Sequence, residues 1–256
     1  MSEAPILEVR NITRNFGKFQ AIGGVSLRVP QGRLSALIGP NGAGKTTFYN
    51  VISGKYRPTT GSVHFDGQDV TGLAPHRLVA RGMLRSFQIT NVFPELSVLE
   101  NVLVPLVVHH RASFAFLRSL ARRKDWVEEA EGILDRVGLR EMRHRVVSTL
   151  AYGDKRLIEI ALVLARKPKL VLLDEPTAGM NPEETDRMIH LIRELADQSG
   201  TTFFITEHDM KVVFSVAQRI YVLHQGRLLA EGAPDEIRSN DQVKQAYLGG
   251  SLYAPP

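Results

Sequence analysis

The sequence contains no cysteine. That excludes a disulfide framework and thiolate chemistry, and it suits a reducing compartment. No apolar run approaches the roughly 18 residues of a membrane-spanning helix; the best candidate, VLENVLVPLVVHH from Val98, is short and interrupted by Glu100, Asn101 and Pro105. The chain is therefore not expected to cross a membrane by itself. The N-terminal MSEAPILEVRNITRNF lacks the basic and apolar regions of a secretory signal, so export by that route is not expected. Aromatic residues make up only 7%. No stacking array or recognition-helix motif accompanies the basic residues, which argues against direct nucleic-acid binding. Internal repeats, low-complexity runs and long linkers are also missing.

What is present describes an ordinary globular chain of 256 residues, 43% hydrophobic and 23% charged, long enough to bury a sizeable core. The net charge of +5 is concentrated in Arg111–Lys124 and Arg136–Arg145. There arginines alternate with Leu, Phe and Val at helical spacing, as on solvated helix faces; contact of the first stretch with an anionic membrane surface is the alternative. Residues 6–10, 25–29 and 33–38 read as strands, and GSVHFDGQDV from Gly61 as a strand and turn. Helical periodicity dominates from Ser97 to about Ala165. Thereafter LVLL, TTFFIT and RIYVL alternate with helical stretches such as PEETDRMIHLIRELADQ, the pattern of a parallel α/β sheet.

The strongest local signal is Gly39-Pro40-Asn41-Gly42-Ala43-Gly44-Lys45-Thr46, which satisfies G-x-x-x-x-G-K-[ST] after an apolar strand and before a helix. Its glycines allow backbone N–H groups to point inward, and the helix adds its positive N-terminal end. Lys45 can place a charge against the β- and γ-phosphates of ATP. Thr46 offers a hydroxyl to Mg²⁺, and Thr47 can serve the α-phosphate. In KLVLLDEP, Asp174 and Glu175 emerge at the carboxyl end of a strand buried on both faces. Asp174 is the candidate for holding Mg²⁺ through water, and Glu175 the candidate general base for water attacking the γ-phosphate; a helix or turn cap is the alternative for the pair. His208 in TEHDM follows a strand expected to neighbour that of Glu175, where an imidazole can donate to the γ-phosphate or orient the water. Gln88, at the end of another short strand, is a neutral group able to meet both Mg²⁺ and the water.

In the order GPNGAGKTT, SFQ, LAYGD, LVLLDEP, AGMNP and TEH, these elements resemble the ATPase subunit of an ATP-binding cassette (ABC) transporter over essentially the whole chain. The resemblance implies an α/β fold: a P-loop NTPase core, an antiparallel β-subdomain from the N-terminal strands, and an inserted α-helical subdomain. It implies one domain over 1–256, with about 1–87 and 166–256 forming the core and β-subdomain and about 88–165 the helical part. It also implies that Phe16 stacks on adenine, the alternative being a core or turn aromatic. In this family the stretch at Leu150–Asp154 is the signature, and two subunits pack head to tail so that each signature closes the other's phosphate loop over ATP. Ala151, Tyr152 and Gly153 are then nucleotide-binding residues in trans.

The widespread form of that signature is L-S-G-G-Q; here Ala151 replaces the serine, Tyr152 a glycine and Asp154 the glutamine. Losing the serine hydroxyl removes one hydrogen bond to the γ-phosphate. Asp154 adds a negative charge that favours the helix start and disfavours an approaching phosphate. L-A-Y-G, RSFQITNVFPELSVLENVLV, AGMNPEET, TEHDMKVVF and QVKQAYLGG resemble the branch serving branched-chain amino acid uptake, LivG-type, and its relatives for urea, amides or aromatic acids. What that implies is an ATP-hydrolysing, peripheral subunit at the cytoplasmic face of the inner membrane. Its implied partners are two membrane permease subunits, a second, non-identical ATPase subunit with a homodimer as the alternative, and indirectly a periplasmic solute-binding protein. A permease helix is expected to dock on the helical insertion and Ile89–Asn101, a segment that also reads as core plus a helix cap at Ser97 with Glu100 three residues on. A soluble cassette protein acting on nucleic acid or ribosomes, and a nucleotide switch without turnover, are the competing readings.

Overall fold

The computed structural model describes residues 4–85, 92–109 and 124–247. The chain divides into two compact units, one of residues 1–85, 169–176 and 192–256, the other of residues 86–168 and 177–191.

The first unit holds two sheets. In one, strands β1 (Pro5–Phe16), β2 (Phe19–Pro30), β4 (Thr60–Phe65) and β5 (Gln68–Asp69) are antiparallel in the order β2-β1-β4-β5. Sequence pattern marks only residues 6–10 and 25–29 as strand. Yet pairing in the β1–β2 hairpin carries both strands out to the turn at Gly17, through four register irregularities, which shows cross-strand pairing overriding weak local propensity. The other sheet combines β3 (Leu34–Ile38), β6 (Met83–Arg85), β7 (Leu170–Asp174), β8 (Thr202–Thr206), β9 (Arg219–His224) and β10 (Arg227–Gly232), in the order β10-β9-β3-β8-β7-β6. β3, β7 and β8 are buried at every residue. That is why their sequences LSALI, LVLLD and TFFIT carry no polar alternation, as expected of parallel strands covered on both faces. β10 closes one edge as an antiparallel partner of β9 and is only partly buried.

A single core joins the sheets. Ile6, Leu7, Val9, Val25 and Val63 meet Phe48, Tyr49 and Ile52 of helix α1 (Lys45–Ile52), Leu78 of helix α2 (Pro75–Arg81) and Leu37, Leu172, Phe204 and Leu223 of the parallel strands, all essentially buried. At roughly 1.5–3 kcal/mol per fully buried large apolar side chain, this cluster fixes the strand order and hence the three strand ends at which a ligand would sit. β8 lies between β3 and β7, so the segment carrying His208 follows the strand beside that of Asp174 and Glu175, as the sequence suggested.

The second unit is helical, with α3 (Val98–His109), α4 (Lys124–Arg136) and α5 (Tyr152–Leu164), joined by the N-terminal part of α6 (Pro182–Ser199). α3 starts at the expected cap: Ser97 N–H donates to Glu100 Oε2 at 2.7 Å and Glu100 N–H donates to Ser97 Oγ at 3.2 Å. Asn101, fully buried, exchanges hydrogen bonds with the backbone of Phe93 and donates to Ser97 O. Those bonds fasten the loop that leads into the helix. Among the described residues no helix is long and apolar enough to cross a membrane.

Candidate nucleotide site

The phosphate loop leaves β3 at Gly39, whose φ is 158°. A Cβ there would stand 2.3 Å from Leu223 O, so only glycine lets the loop pass this close to β9. The loop ends at Gly44, the left-handed N-cap of α1, with φ 100°. The N–H groups of Gly44, Lys45, Thr46 and Thr47 find no acceptor among the described residues, leaving a run of donors at the positive end of a helix. Lys45 folds back over the loop, donating to Gly39 O at 2.6 Å and Pro40 O at 3.3 Å. It is 7% exposed. Burial pushes its pKa below the usual lysine value, while the charges of Glu175 and Asp174 oppose that shift. A desolvated ammonium beside a row of free N–H donors is suited to an anion of several charges.

Asp174, at the end of β7, is 8% exposed, and both of its carboxylate oxygens are engaged. Thr206 Oγ1 donates to Oδ1 at 2.6 Å and Arg85 Nη2 to Oδ2 at 2.7 Å. Arg85 also donates to Asn50 Oδ1 and Ser53 Oγ at the end of α1 and lies over the Tyr49 ring. One guanidinium from β6 thus links α1 to the carboxylate of β7. Glu175 follows in a left-handed conformation, φ 52°, its N–H bonded to Thr206 O at 3.0 Å. That turn brings its Oε1 to 2.7 Å from His208 Nε2. A non-glycine residue at positive φ costs of order 1–2 kcal/mol, and here it aims a carboxylate out of the sheet end.

The donor set bears on a metal. Among the described residues no group of three or more His, Cys, Asp or Glu side chains gathers as a metal centre. The exposed Thr46 hydroxyl and Asp174 are hard oxygen donors, too few for a protein-only cage but suited to Mg²⁺, which keeps water and phosphate in its shell. Gln88, the remaining expected metal and catalytic residue, lies outside the described residues.

Phe16, at the end of β1, is 41% exposed. Tyr56 meets its ring edge-on at a centroid distance of 5.5 Å, and the Arg14 guanidinium lies 4.6 Å from it. The ring is neither core nor free; it is braced, with surface left for a planar ligand.

Ala151, Tyr152 and Gly153 lie in the second unit, where they open α5. Ala151 is an extended N-cap with no side-chain capping bond. The Tyr152 hydroxyl donates to Ala178 O at 3.3 Å and accepts from Arg156 Nε at 3.1 Å. A Cβ on Gly153 would lie 2.6 Å from Glu184 Oε1. Glu184 is not free to retreat, since it accepts from Asn181 N–H and donates its own N–H to Asn181 Oδ1, a capping box at the start of α6. One turn further on, Arg187 Nη2 donates to Asp154 Oδ1 at 3.0 Å.

Sequence reasoning singled out neither Arg85 nor Arg187. Arg85 lies three residues before Gln88, and a basic residue ending a short strand was the available signal. Arg187 carried none, because its partner is 33 residues away.

A parallel sheet with a phosphate loop on one central strand and paired carboxylates two strands over defines a P-loop nucleotide-binding protein. The chain belongs to the ABC transporter family, whose model matches residues 22–178; a second model, branched-chain amino acid ATP-binding cassette transporter, matches residues 227–252. The high-affinity branched-chain amino acid transport ATP-binding protein BraF of Pseudomonas aeruginosa is 42% identical, over 96% of this chain and 98% of that protein. Its counterpart LivG of Salmonella typhimurium is 40% identical, over 96% and 98% respectively. Among solved structures, the ADP conformation of MJ1267, an ATP-binding cassette of an ABC transporter, superposes with a TM-score of 0.83 at 34% identity, covering 96% of this chain and 99% of that one. The chain is thus an ATP-hydrolysing ABC subunit closely related to branched-chain amino acid importer ATPases.

Proposed function

We propose that this chain powers an importer for branched-chain amino acids or related small solutes such as urea or amides, by binding and hydrolysing Mg²⁺-ATP at the cytoplasmic face of the inner membrane. The observation that carries the catalytic part is the 2.7 Å contact between His208 and Glu175 at the sheet end. In this reading Glu175 takes the proton from the attacking water, and His208 holds the carboxylate in place and faces the γ-phosphate. Gly39 to Thr47 wrap the phosphates, with Lys45 supplying the charge, and Phe16 stacks on adenine. Thr46, Gln88 and, through water, Asp174 would hold Mg²⁺, which would supply neutralisation of the β- and γ-phosphate charge. Ala151, Tyr152 and Gly153 cap the ATP of a second ATPase subunit.

The partners in this reading are two membrane permeases, a non-identical second ATPase and, indirectly, a periplasmic solute-binding protein. Support comes from the likeness to BraF and LivG along nearly the full chain and from the match at residues 227–252. ATP brings the two ATPase subunits together; because it binds the closed pair better than the open one, it shifts the permeases between access states, and hydrolysis resets them.

The test is a tagged purification from detergent-solubilised native membranes, followed by ATPase assay in proteoliposomes with a panel of solutes. Two hydrophobic permeases and a second short ATPase, with turnover stimulated by a branched-chain amino acid and its binding protein, are expected. Recovery of ribosomes, nucleic acid or only soluble partners would overturn the transport reading and leave the ATP site standing.

A further inference from the structure

We infer that Arg187 is a positioning residue for the signature turn: it holds the Asp154 carboxylate aside, so that the positive start of α5 stays available to a nucleotide phosphate. The inference rests on the proposed role of Ala151–Gly153 in facing ATP and adds to it a residue that the signature itself does not contain.

The argument is one of charge. The start of a helix offers a phosphate about half an elementary positive charge and its free N–H groups. Ala151 brings no hydroxyl to that turn and makes no capping bond. Asp154, in the first turn of α5, brings a full negative charge instead. A second carboxylate, Glu184, already stands against Gly153. The nearby cations on α5 are directed elsewhere: Lys155 donates to Ser148 O, and Arg156 to Glu159 and the Tyr152 hydroxyl. Arg187 meets Asp154 at 3.0 Å and holds it in a half-buried setting, the Asp154 side chain 14% exposed.

The placement follows from helix geometry. Glu184 and Arg187 are three residues apart and share one face of α6, which sets them against Gly153 and Asp154 respectively. The same capping box that fixes Glu184 therefore fixes the register of Arg187. Freed of its arginine, Asp154 has rotamers that swing toward the turn. A unit charge about 7 Å from a phosphate charge, at an effective dielectric constant of about 20, weakens binding by up to about fiftyfold before salt screening.

The test uses the complete transporter, purified from native membranes with variants of this subunit and assayed for kcat and for KM of ATP at two salt concentrations. R187A is expected to raise KM about tenfold, less at high salt, with kcat within threefold of the parent. The double variant D154Q/R187A is expected to bring KM back to within threefold, because removing the carboxylate removes the need for the arginine. A purely structural role for Arg187 predicts a lowered unfolding midpoint in R187A with KM unchanged, so an unchanged KM in R187A overturns the inference, as does failure of the double variant to restore KM.

A151D separates this from failure of the underlying reading. An aspartate at this extended N-cap improves the cap, so the helix is retained while a carboxylate that Arg187 does not hold is placed on the turn. If A151D raises KM and R187A does not, the assignment of Arg187 fails and the phosphate-facing turn stands. If A151D leaves KM unchanged, the turn does not face phosphate, and the inference falls with it.

Discussion

His208 Nε2 lies 2.7 Å from Glu175 Oε1, at the ends of two adjacent parallel strands. The contact depends on Glu175 taking a positive φ immediately after Asp174, so that consecutive carboxylates serve different surroundings. Asp174 is tied into the fold by Thr206 and Arg85, while Glu175 is turned out toward the imidazole.

Replacing Glu175 with Gln is expected to lower ATP hydrolysis by the assembled transporter by roughly 10²–10⁴-fold, the usual size of a general base, with nucleotide binding retained. His208→Ala is expected to lower kcat by less, since the base remains but loses its neighbour. Single-turnover kinetics with an independent measurement of ATP affinity check both. Equal, near-zero turnover in the parent and E175Q complexes contradicts the catalytic reading.

Arg85 and Asp174 form an ion pair whose side chains are 14% and 7% exposed. Removing one member strands a charge in the interior. Arg85→Ala is accordingly expected to destabilise the protein by about 3–5 kcal/mol without nucleotide. Urea unfolding reads this as a lower midpoint at unchanged slope. A loss below about 1 kcal/mol would place the pair in the class of exposed ion pairs.

Two glycines of the phosphate loop separate crowding from backbone strain. Gly39→Ala places a Cβ 2.3 Å from Leu223 O, so the loop must move; a cost of about 1–3 kcal/mol and loss of ATP binding are expected. Gly42 also has positive φ, 78°, but nothing lies within 4 Å of its Cβ position. Gly42→Ala is expected to cost only the backbone term, about 1–2 kcal/mol. Thermal unfolding and fluorescent-nucleotide titration of the pair check the order.

Glu100 is held below its ordinary value of 4.5 by hydrogen bonds from the Ser97 hydroxyl and backbone N–H. A carboxylate with a lowered folded-state pKa contributes stability that is complete above 4.5 and is lost as pH falls through the folded value. Ser97→Ala is expected to cost about 0.5–2 kcal/mol near neutral pH. The gap between parent and variant should narrow as pH is taken below that range. Denaturation curves at several pH values measure it, and a gap independent of pH would leave only the Glu100 N–H to Ser97 Oγ bond as its source and remove the carboxylate from it.

Phe16→Ala removes an exposed ring braced by Tyr56 and Arg14. ATP affinity is expected to fall by an amount corresponding to about 1–3 kcal/mol, the worth of a base–aromatic stack, with folding stability lowered by no more than the aromatic pair, about 0.5–1.5 kcal/mol. Phe16→Tyr should preserve affinity. Isothermal titration distinguishes the two, and equal affinities in F16A and the parent would leave the ring without a base.

Much of this protein is written in short stretches of sequence. The phosphate loop is legible because a tight turn, an inward row of N–H groups and a helix start are all built from eight consecutive residues. The central strands are legible because burial on both faces forces continuous apolar runs such as LVLL. The cap at Ser97 needs only a partner three residues on. The β1–β2 hairpin is less legible, since Asn11 to Phe16 and Phe19 to Gly24 become strand through pairing with each other rather than through any preference of their own.

The sequence by itself determined the class of protein, the strand–loop–helix that receives phosphate, and the residue types available for chemistry, because each depends on interactions spanning a few residues. Tertiary structure decided which charges meet. Arg85 reaches Asp174 across 89 positions, His208 reaches Glu175 across 33, and Arg187 reaches Asp154 across 33. It also decided that residues 177–191 pack with the helical unit although they begin only two positions after Glu175. Charge pairing has no period and no local signature. Only strand order and helix register bring such partners within a few ångströms, and the packed core is what fixes both.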